Sequence, residues 1–220
     1  MSRILSINVS KPVLLVYKGH RVQSSIRKQP VTGAVALGRY GLDGDQQADL
    51  YNHGGRDKGI YIYPSEHYKT WEEHLNKRLV YGTLGENLTA EGLFETELCV
   101  GDHLGIGDAI VEITQPRIPC YKLEMSVQQE GFAQTFAQSC KLGSYAKIIK
   151  GGTLTAGEDI VFVHRAPERI SVHQIAHLFF IDQQNYDALE QAVKLKALPH
   201  FIRDVFEKRL ANHKMQGNLI

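Results

Sequence analysis

Short β-rich runs dominate the first part of the chain: Ile4 to Val9, Val13 to Tyr17, His20 to Ser24 and Gly33 to Ala36. They are parted by Lys11-Pro12, Lys18-Gly19 and Gln29-Pro30, residue pairs that favour turns, so the pattern predicts strands in a meander. Between Leu98 and Ile113 apolar and polar residues alternate around Gly101-Asp102 and Gly107-Asp108, which predicts a hairpin. A further strand pair is expected at Tyr145 to Lys150 and Asp159 to His164, around Gly151-Gly152 and Gly157. So many short strands with glycine turns predict a mainly β protein, an antiparallel barrel.

Helical spacing appears in two places. Pro64 to Asn76 carries Pro at its start, Glu66 early and Lys77-Arg78 at its end, the charge order that suits an amphipathic helix packed on the sheet. After Pro167 the apolar residues recur every three to four positions over Val172 to Phe180, Asn185 to Leu195 and Pro199 to Leu210. The division expected is a β-barrel domain over 1–166 and a three-helix extension over 167–220.

Composition narrows the function classes. The 220 residues are 43% hydrophobic and 22% charged, which is ordinary for a packed globular chain. With 25 Lys and Arg against 24 Asp and Glu the net charge is +1, so no long-range field draws nucleic acid or an anionic membrane, and neither is expected as a partner. The amino end reads as a first strand rather than a signal peptide, and no apolar run approaches the roughly 20 residues of a membrane span, so a soluble cytoplasmic protein is expected. Cys99, Cys120 and Cys140 form no Cys-x-x-Cys pair and are too few for an iron–sulfur cluster of this chain's own.

Three segments carry candidate chemistry. Gly41-Leu42-Asp43-Gly44-Asp45 leads through Asp49 to His53-Gly54-Gly55-Arg56-Asp57-Lys58-Gly59. Glycines at this density let main-chain N–H groups approach a ligand, and Arg56 and Lys58 supply charge for a phosphate; composition alone fits equally a surface loop whose aspartates cap turns. Tyr81 to Thr89 offers Glu86 and Asn87 as donors and acceptors for a heterocycle edge, or is simply a turn before a strand. In Gln115-Pro116-Arg117-Ile118-Pro119-Cys120 two prolines stiffen the backbone, and Arg117 and Lys122 favour the thiolate of Cys120, the form that ligates metals or carries sulfur. A lone cysteine is as a rule a small buried hydrophobe, the role expected of Cys99 and Cys140. His173-Gln174-Ile175-Ala176-His177 lacks the glutamate of a zinc-protease motif and reads as helix surface or cap contacts.

Taken in order, Gly41 to Asp45, His53 to Lys58, Gly85-Glu86-Asn87-Leu88, Val100-Gly101-Asp102 with Leu104 to Gly107, and Gln115 to Cys120 closely resemble the MOSC family, the domain named for the carboxyl-terminal region of molybdenum cofactor sulfurases. The resemblance covers about Ile4 to Val163, and the three helices beyond resemble the 3-alpha extension of the YiiM-like branch. At Gly157-Glu158-Asp159 the chain departs from the family's usual Gly-Asp, a change in a turn and not in the site. The resemblance implies a barrel related to that of pyruvate kinase and a pocket for the molybdenum cofactor or its sulfur. It further implies reduction of N-hydroxylated compounds such as 6-hydroxylaminopurine, a detoxifying activity.

On that reading Cys120 is the thiolate ligand to molybdenum, and Asp57 and Asp45 sit near the metal or order its water. Arg27, Lys28, Arg56, Lys58 and Arg117 serve the cofactor phosphate, with Lys122 and the His53-Gly54-Gly55 turn alongside, and Glu86 and Asn87 face the pterin. Electrons are expected from a separate reductase, a flavin or iron–sulfur protein, and the assembly is left open, a homodimer included. Two other readings stand beside it: Cys120 as a persulfide carrier for another metal centre, or a non-catalytic module that captures a phosphorylated small molecule such as pyridoxal phosphate.

Overall fold

A computed structural model describes residues 2–48 and 55–217. Asp49, His53 and Gly54 of the glycine-rich loop therefore lie outside the described residues. The strands are β1 (Ser2–Val9), β2 (Val13–Tyr17), β3 (His20–Ser24), β4 (Gln29–Val31), β5 (Val35–Gly38), β6 (Gly41–Leu42), β7 (Ile60–Pro64), β8 (Leu88–Glu91), β9 (His103–Ile106), β10 (Ala109–Pro116), β11 (Ser144–Lys150), β12 (Gly152–Leu154) and β13 (Asp159–His164). The helices are α1 (Tyr68–Leu75), α2 (Tyr121–Val127), α3 (Phe132–Gln138), α4 (Val172–Phe180), α5 (Tyr186–Ala192) and α6 (His200–Gly217).

Seven strands close a barrel in the order β13-β9-β10-β11-β7-β8-β1, with β1 returning to β13 through Ser2 opposite Ile160 and Arg3 opposite Asp159. Closure removes the exposed sheet edge. Every pairing is antiparallel except β7 with β8. The first forty residues do not run as a meander: β1 takes β4, β8 and β13 as neighbours, β2 and β3 form a hairpin of their own, and β5 joins β6 and β12. Nor do β11 and β13 pair with each other; β11 lies between β10 and β7, and β13 between β9 and β1. The turn at Gly157-Glu158 locks onto β1, since Gly157 N donates to Ile4 O at 2.7 Å and Ile4 N to Glu158 O at 2.9 Å.

β7 explains how the barrel and the site share a wall. Its sequence Ile60-Tyr61-Ile62-Tyr63-Pro64 is buried on both faces: Ile60 and Ile62 belong to the barrel core, Tyr61 and Tyr63 to an outer cluster with Trp71, Phe132, Phe136 and Leu142. The outer cluster is built by α1, α2 and α3, and the last two were not expected from the sequence. Helices α4 to α6 lay Ile175, Leu178, Leu189, Ile202 and Phe206 into the same buried cluster as the barrel strands. On α4, Gln174 is the second half of a capping box with Ser171, accepting from Ser171 N at 2.7 Å, which accounts for the glutamine between the two histidines. Among the described residues no helix is long and apolar enough to cross a membrane.

Candidate active site

β10 ends at Pro116, and the chain leaves the barrel through Arg117 to Pro119 before α2 begins. Cys120 is the residue before the first turn of α2, extended at φ −140 and ψ 174, and half-buried. A cleft opens beside it on the outer face of β7 and β11. Its walls hold Cys120, Lys28, Asp45, Lys58, Asn87, Arg117 and Lys122, together with Tyr61, Tyr145 and the Ser24-Ser25-Ile26 segment.

Among the described residues, four cations and one carboxylate line the cleft. Arg117 is buried, donates to Leu84 O, and places its guanidinium 5.2 Å from the centre of the Tyr61 ring. Burial works against its charge, but Tyr61, Tyr145 and Cys120 around it outweigh that and raise its pKa. Lys28 is only 8% exposed, and burial lowers its ammonium pKa against the opposing pull of Asp45, whose Oδ1 lies 2.5 Å from Nζ. Asp45 is held by Ser10 N at 2.8 Å and by Asn87 Nδ2 at 2.9 Å. Asn87 is itself stitched to β7, its Oδ1 accepting from Tyr61 N at 3.1 Å. Asp45 and Asn87 thus act as the frame that aims Lys28 into the cleft.

Two glycines let the Ile26 to Lys28 segment close the wall. A Cβ on Gly82, at φ +91, would come within 2.7 Å of Lys28 O, and one on Gly85, at φ +87, within 2.5 Å of Ile26 Cδ1. The Ser25 hydroxyl is buried with no hydrogen-bond partner while its residue lines the cleft, an acceptor and donor left for a ligand. Tyr61 and Tyr145, ring centres 5.0 Å apart, supply the aromatic side.

The remaining site candidates fall elsewhere. Glu86 is fully buried behind the cleft, where Oε1 accepts from Tyr68 Oη, Gly82 N and Thr89 Oγ1. Burial raises its carboxyl pKa despite these donors. Arg27 is exposed and donates to Met125 O at 2.8 Å. Asp57 sits in the 3-10 turn 56–58, its carbonyl accepting from Thr114 Oγ1 at 2.6 Å; of that turn Lys58 lines the cleft, whereas Arg56 is exposed and Gly55, at φ +99, precedes it. Cys99 and Cys140 are buried, and burial raises both thiols. Sequence reading had not picked out Ser25, Tyr61 or Tyr145; the two tyrosines carry a signal, since each lies on the outward position of a strand whose inward neighbours are aliphatic, and Ser25 carries none.

The description "MOSC domain" matches residues 49–161, and "YiiM-like, 3-alpha helix domain" matches residues 170–213. The chain belongs to the MOSC-domain family. Within that family it is 36% identical over 206 residues to "Uncharacterized protein YflK" of Bacillus subtilis (strain 168), covering 94% of this chain and 93% of that one. The crystal structure of YiiM from Geobacillus stearothermophilus superposes with a TM-score of 0.81 at 34% identity, over 96% of this chain and all of that one. A protein of Gibberella moniliformis (strain M3125 / FGSC 7600) named "Reductase" is 26% identical over 196 residues, which span 87% of this MOSC-domain chain and 35% of the relative. The cleft is shared between the stretch matched as the MOSC domain, from Lys58 to Tyr145, and a wall from Ser24 to Ala48 that precedes it.

Proposed function

We propose that the cleft binds the molybdenum cofactor through the Cys120 sulfur and reduces N-hydroxylated compounds such as 6-hydroxylaminopurine, with electrons from a separate protein. The observation that carries this reading is a soft sulfur donor on the same wall as a cluster of cations. The residues present fit the cofactor: Lys28, Arg117, Lys58 and Lys122 match a phosphate, the unpartnered Ser25 hydroxyl offers a further contact, and Cys120 suits a thiophilic metal. When bound, the cofactor supplies two-electron chemistry at molybdenum.

The chain's own residues bind, orient and exclude water. Arg117 and Lys28, both buried, hold the anion with charge that solvent screens little. The outer ring of Tyr145 and the apolar Ile26 side chain give a planar base a surface to lie on. Conversion of N–OH to N–H takes two electrons and two protons and releases water, and the three cysteines form no cluster set that could store those electrons. The protein named "Reductase", in which a chain like this one is only about a third of the whole, supports a division of labour between this module and an electron donor.

Molybdenum and pterin analysis of protein from a host that makes the cofactor tests the reading. Stoichiometric molybdenum in the wild type and background levels in a folded Cys120→Ser variant are expected. Cyanide-releasable sulfur without molybdenum would instead make Cys120 a persulfide carrier.

A further inference from the structure

The β2–β3 hairpin is the part of the chain that the body holds least. Among the described residues β2 and β3 pair only with each other. Between Val9 and Val31 no residue joins either buried apolar cluster, and Leu15 and Val22, opposite each other on the ribbon, stay half-buried. A two-stranded ribbon with no core beneath it is marginally stable, so the ends of this one decide where it lies.

Both ends sit on the walls of the cleft. Before the hairpin Ser10 is pinned, its N–H donating to Asp45 Oδ1 at 2.8 Å and its carbonyl accepting from Gln46 N at 2.9 Å. After it Ser24 and Ser25 line the cleft, and the chain is pinned again where Lys28 N donates to Gly82 O at 3.3 Å. At the tip Tyr17 Oη donates to Glu124 Oε2 at 2.7 Å, the Tyr17 ring lies 5.6 Å from that of Tyr121, next to Cys120, and Lys18 pairs with Glu130. Helix α2 is the fixed post, since Leu123 and Val127 belong to the outer aromatic cluster and Ser126 Oγ donates to Thr83 O at 2.6 Å. The hairpin thus spans from the Asp45 and Lys28 wall to the helix that begins after Cys120, and side chains close its far end, with no backbone hydrogen bond there among the described residues.

We propose that the hairpin is a strap across the mouth of the cleft: it hinges at Lys11-Pro12 and at Ser25, opens when Tyr17 leaves Glu124, and closes over a ligand seated beside Cys120. This rests on the cleft being a ligand site, as read above, and not on which ligand fills it. Segments that open are drawn from the least stable part of a fold, and their closure keeps water from the reacting groups. A fixed structural ribbon would lay its apolar side on the body, whereas Leu15 and Val22 join no cluster. The latch is graded. Tyr17 gives a hydrogen bond to a carboxylate and a ring contact, while the side chains of Lys18 and Glu130 are 56% and 75% exposed and contribute little.

Cys120 itself reports on the strap, because it lines the cleft while Cys99 and Cys140 are buried. The full chain is alkylated under native conditions with iodoacetamide, which is small, and with fluorescein maleimide, which carries a broad planar body, with Cys120→Ser as the blank. In Tyr17→Phe, which keeps the ring and loses the hydroxyl, the fluorescein maleimide rate should rise about fivefold while the iodoacetamide rate stays within about twofold of wild type. Lys18→Gln should raise the fluorescein maleimide rate by less. Hydrogen exchange read by mass spectrometry should show residues 13–24 exchanging faster in Tyr17→Phe, with β10 unchanged. A fluorescein maleimide rate that Tyr17→Phe leaves unchanged overturns the strap. Equal acceleration of both reagents also overturns it, since α2 and Cys120 have then loosened together. Where Cys120 reacts with neither reagent the exchange decides, and exchange over residues 13–24 that the variant leaves unchanged overturns the strap. Neither readout needs a bound ligand, so a strap that opens in protein taking up no molybdenum stands, and that result counts against the cofactor reading of the cleft alone.

Discussion

Glu86 is the residue whose environment departs furthest from that of an ordinary glutamate. It is wholly buried, three donors converge on Oε1, and Oε2 has no partner. The donors favour the carboxylate, but burial outweighs them and the pKa is raised. A raised folded-state pKa means the folded protein holds this proton more tightly than the unfolded chain. The contribution is therefore full below the unfolded carboxyl range and is lost as pH rises through the folded pKa. Glu86→Gln keeps an acceptor for Gly82 N and cannot ionise. The melting temperature of the variant relative to wild type should thus be more favourable at pH 8 than at pH 5, measured by scanning calorimetry; a difference independent of pH would show that Glu86 does not titrate in this way. From the sequence, Glu86 looked like a ligand contact because it neighbours Asn87 in a polar loop. Both are buried, but only Asn87 lines the cleft; that is a tertiary fact, and nothing in the local pattern encodes it.

The turn Tyr81 to Gly85 works as an element, and its glycines hold the cleft wall in place. Gly82 takes φ +91, where a side chain is strained, and its Cβ would meet the backbone oxygen of Lys28, which cannot rotate away. Gly82→Ala should cost about 1–3 kcal/mol and push the Lys28 segment outward. Denaturant titration should show the loss, and phosphate affinity, read by calorimetry, should fall with it, whereas Gly131→Ala, with open space at its Cβ, keeps the affinity. The motif Gly85-Glu86-Asn87 was legible as a turn before a strand, and β8 does follow at Leu88. Strand and helix placement was readable wherever a period was sustained: β9 with β10, α1 and α4 to α6 lie close to where the pattern puts them. Partner choice was not, because period fixes which face of a strand is buried and says nothing of which strand lies beside it. Hence the meander over the first forty residues and the pairing of β11 with β13 both failed. Helices α2 and α3 were readable in principle, since Leu123 and Val127, like Phe132 and Phe136, recur at four-residue spacing, but Gln128 to Gly131 interrupts the run.

At the scale of the whole molecule the question is whether the carboxyl-terminal helices are an attached unit or part of the barrel's own fold. A separate unit would bury its apolar stripe internally and melt on its own. Instead Ile175 and Leu178 of α4, Leu189 of α5, and Ile202 and Phe206 of α6 join one buried cluster with Ile113, Val111 and Leu104 of the barrel. The backbone links agree, with Val172 N donating to Leu98 O at 2.7 Å and His173 N to Glu95 O at 2.9 Å. Ala176 of α4 also reaches the outer aromatic cluster that contains Trp71. Loosening α6 therefore removes contacts from the barrel as well as from α4 and α5. Phe206→Ala, at a fully buried ring, should cost about 3–5 kcal/mol and lower a single cooperative transition. Trp71 fluorescence, which reports on the barrel side, and far-UV circular dichroism, which weights the helices, should shift together by the same amount. If the helical signal melted first and Trp71 kept its wild-type midpoint, the helices would be an independent unit resting on the barrel, and the shared core would not couple them.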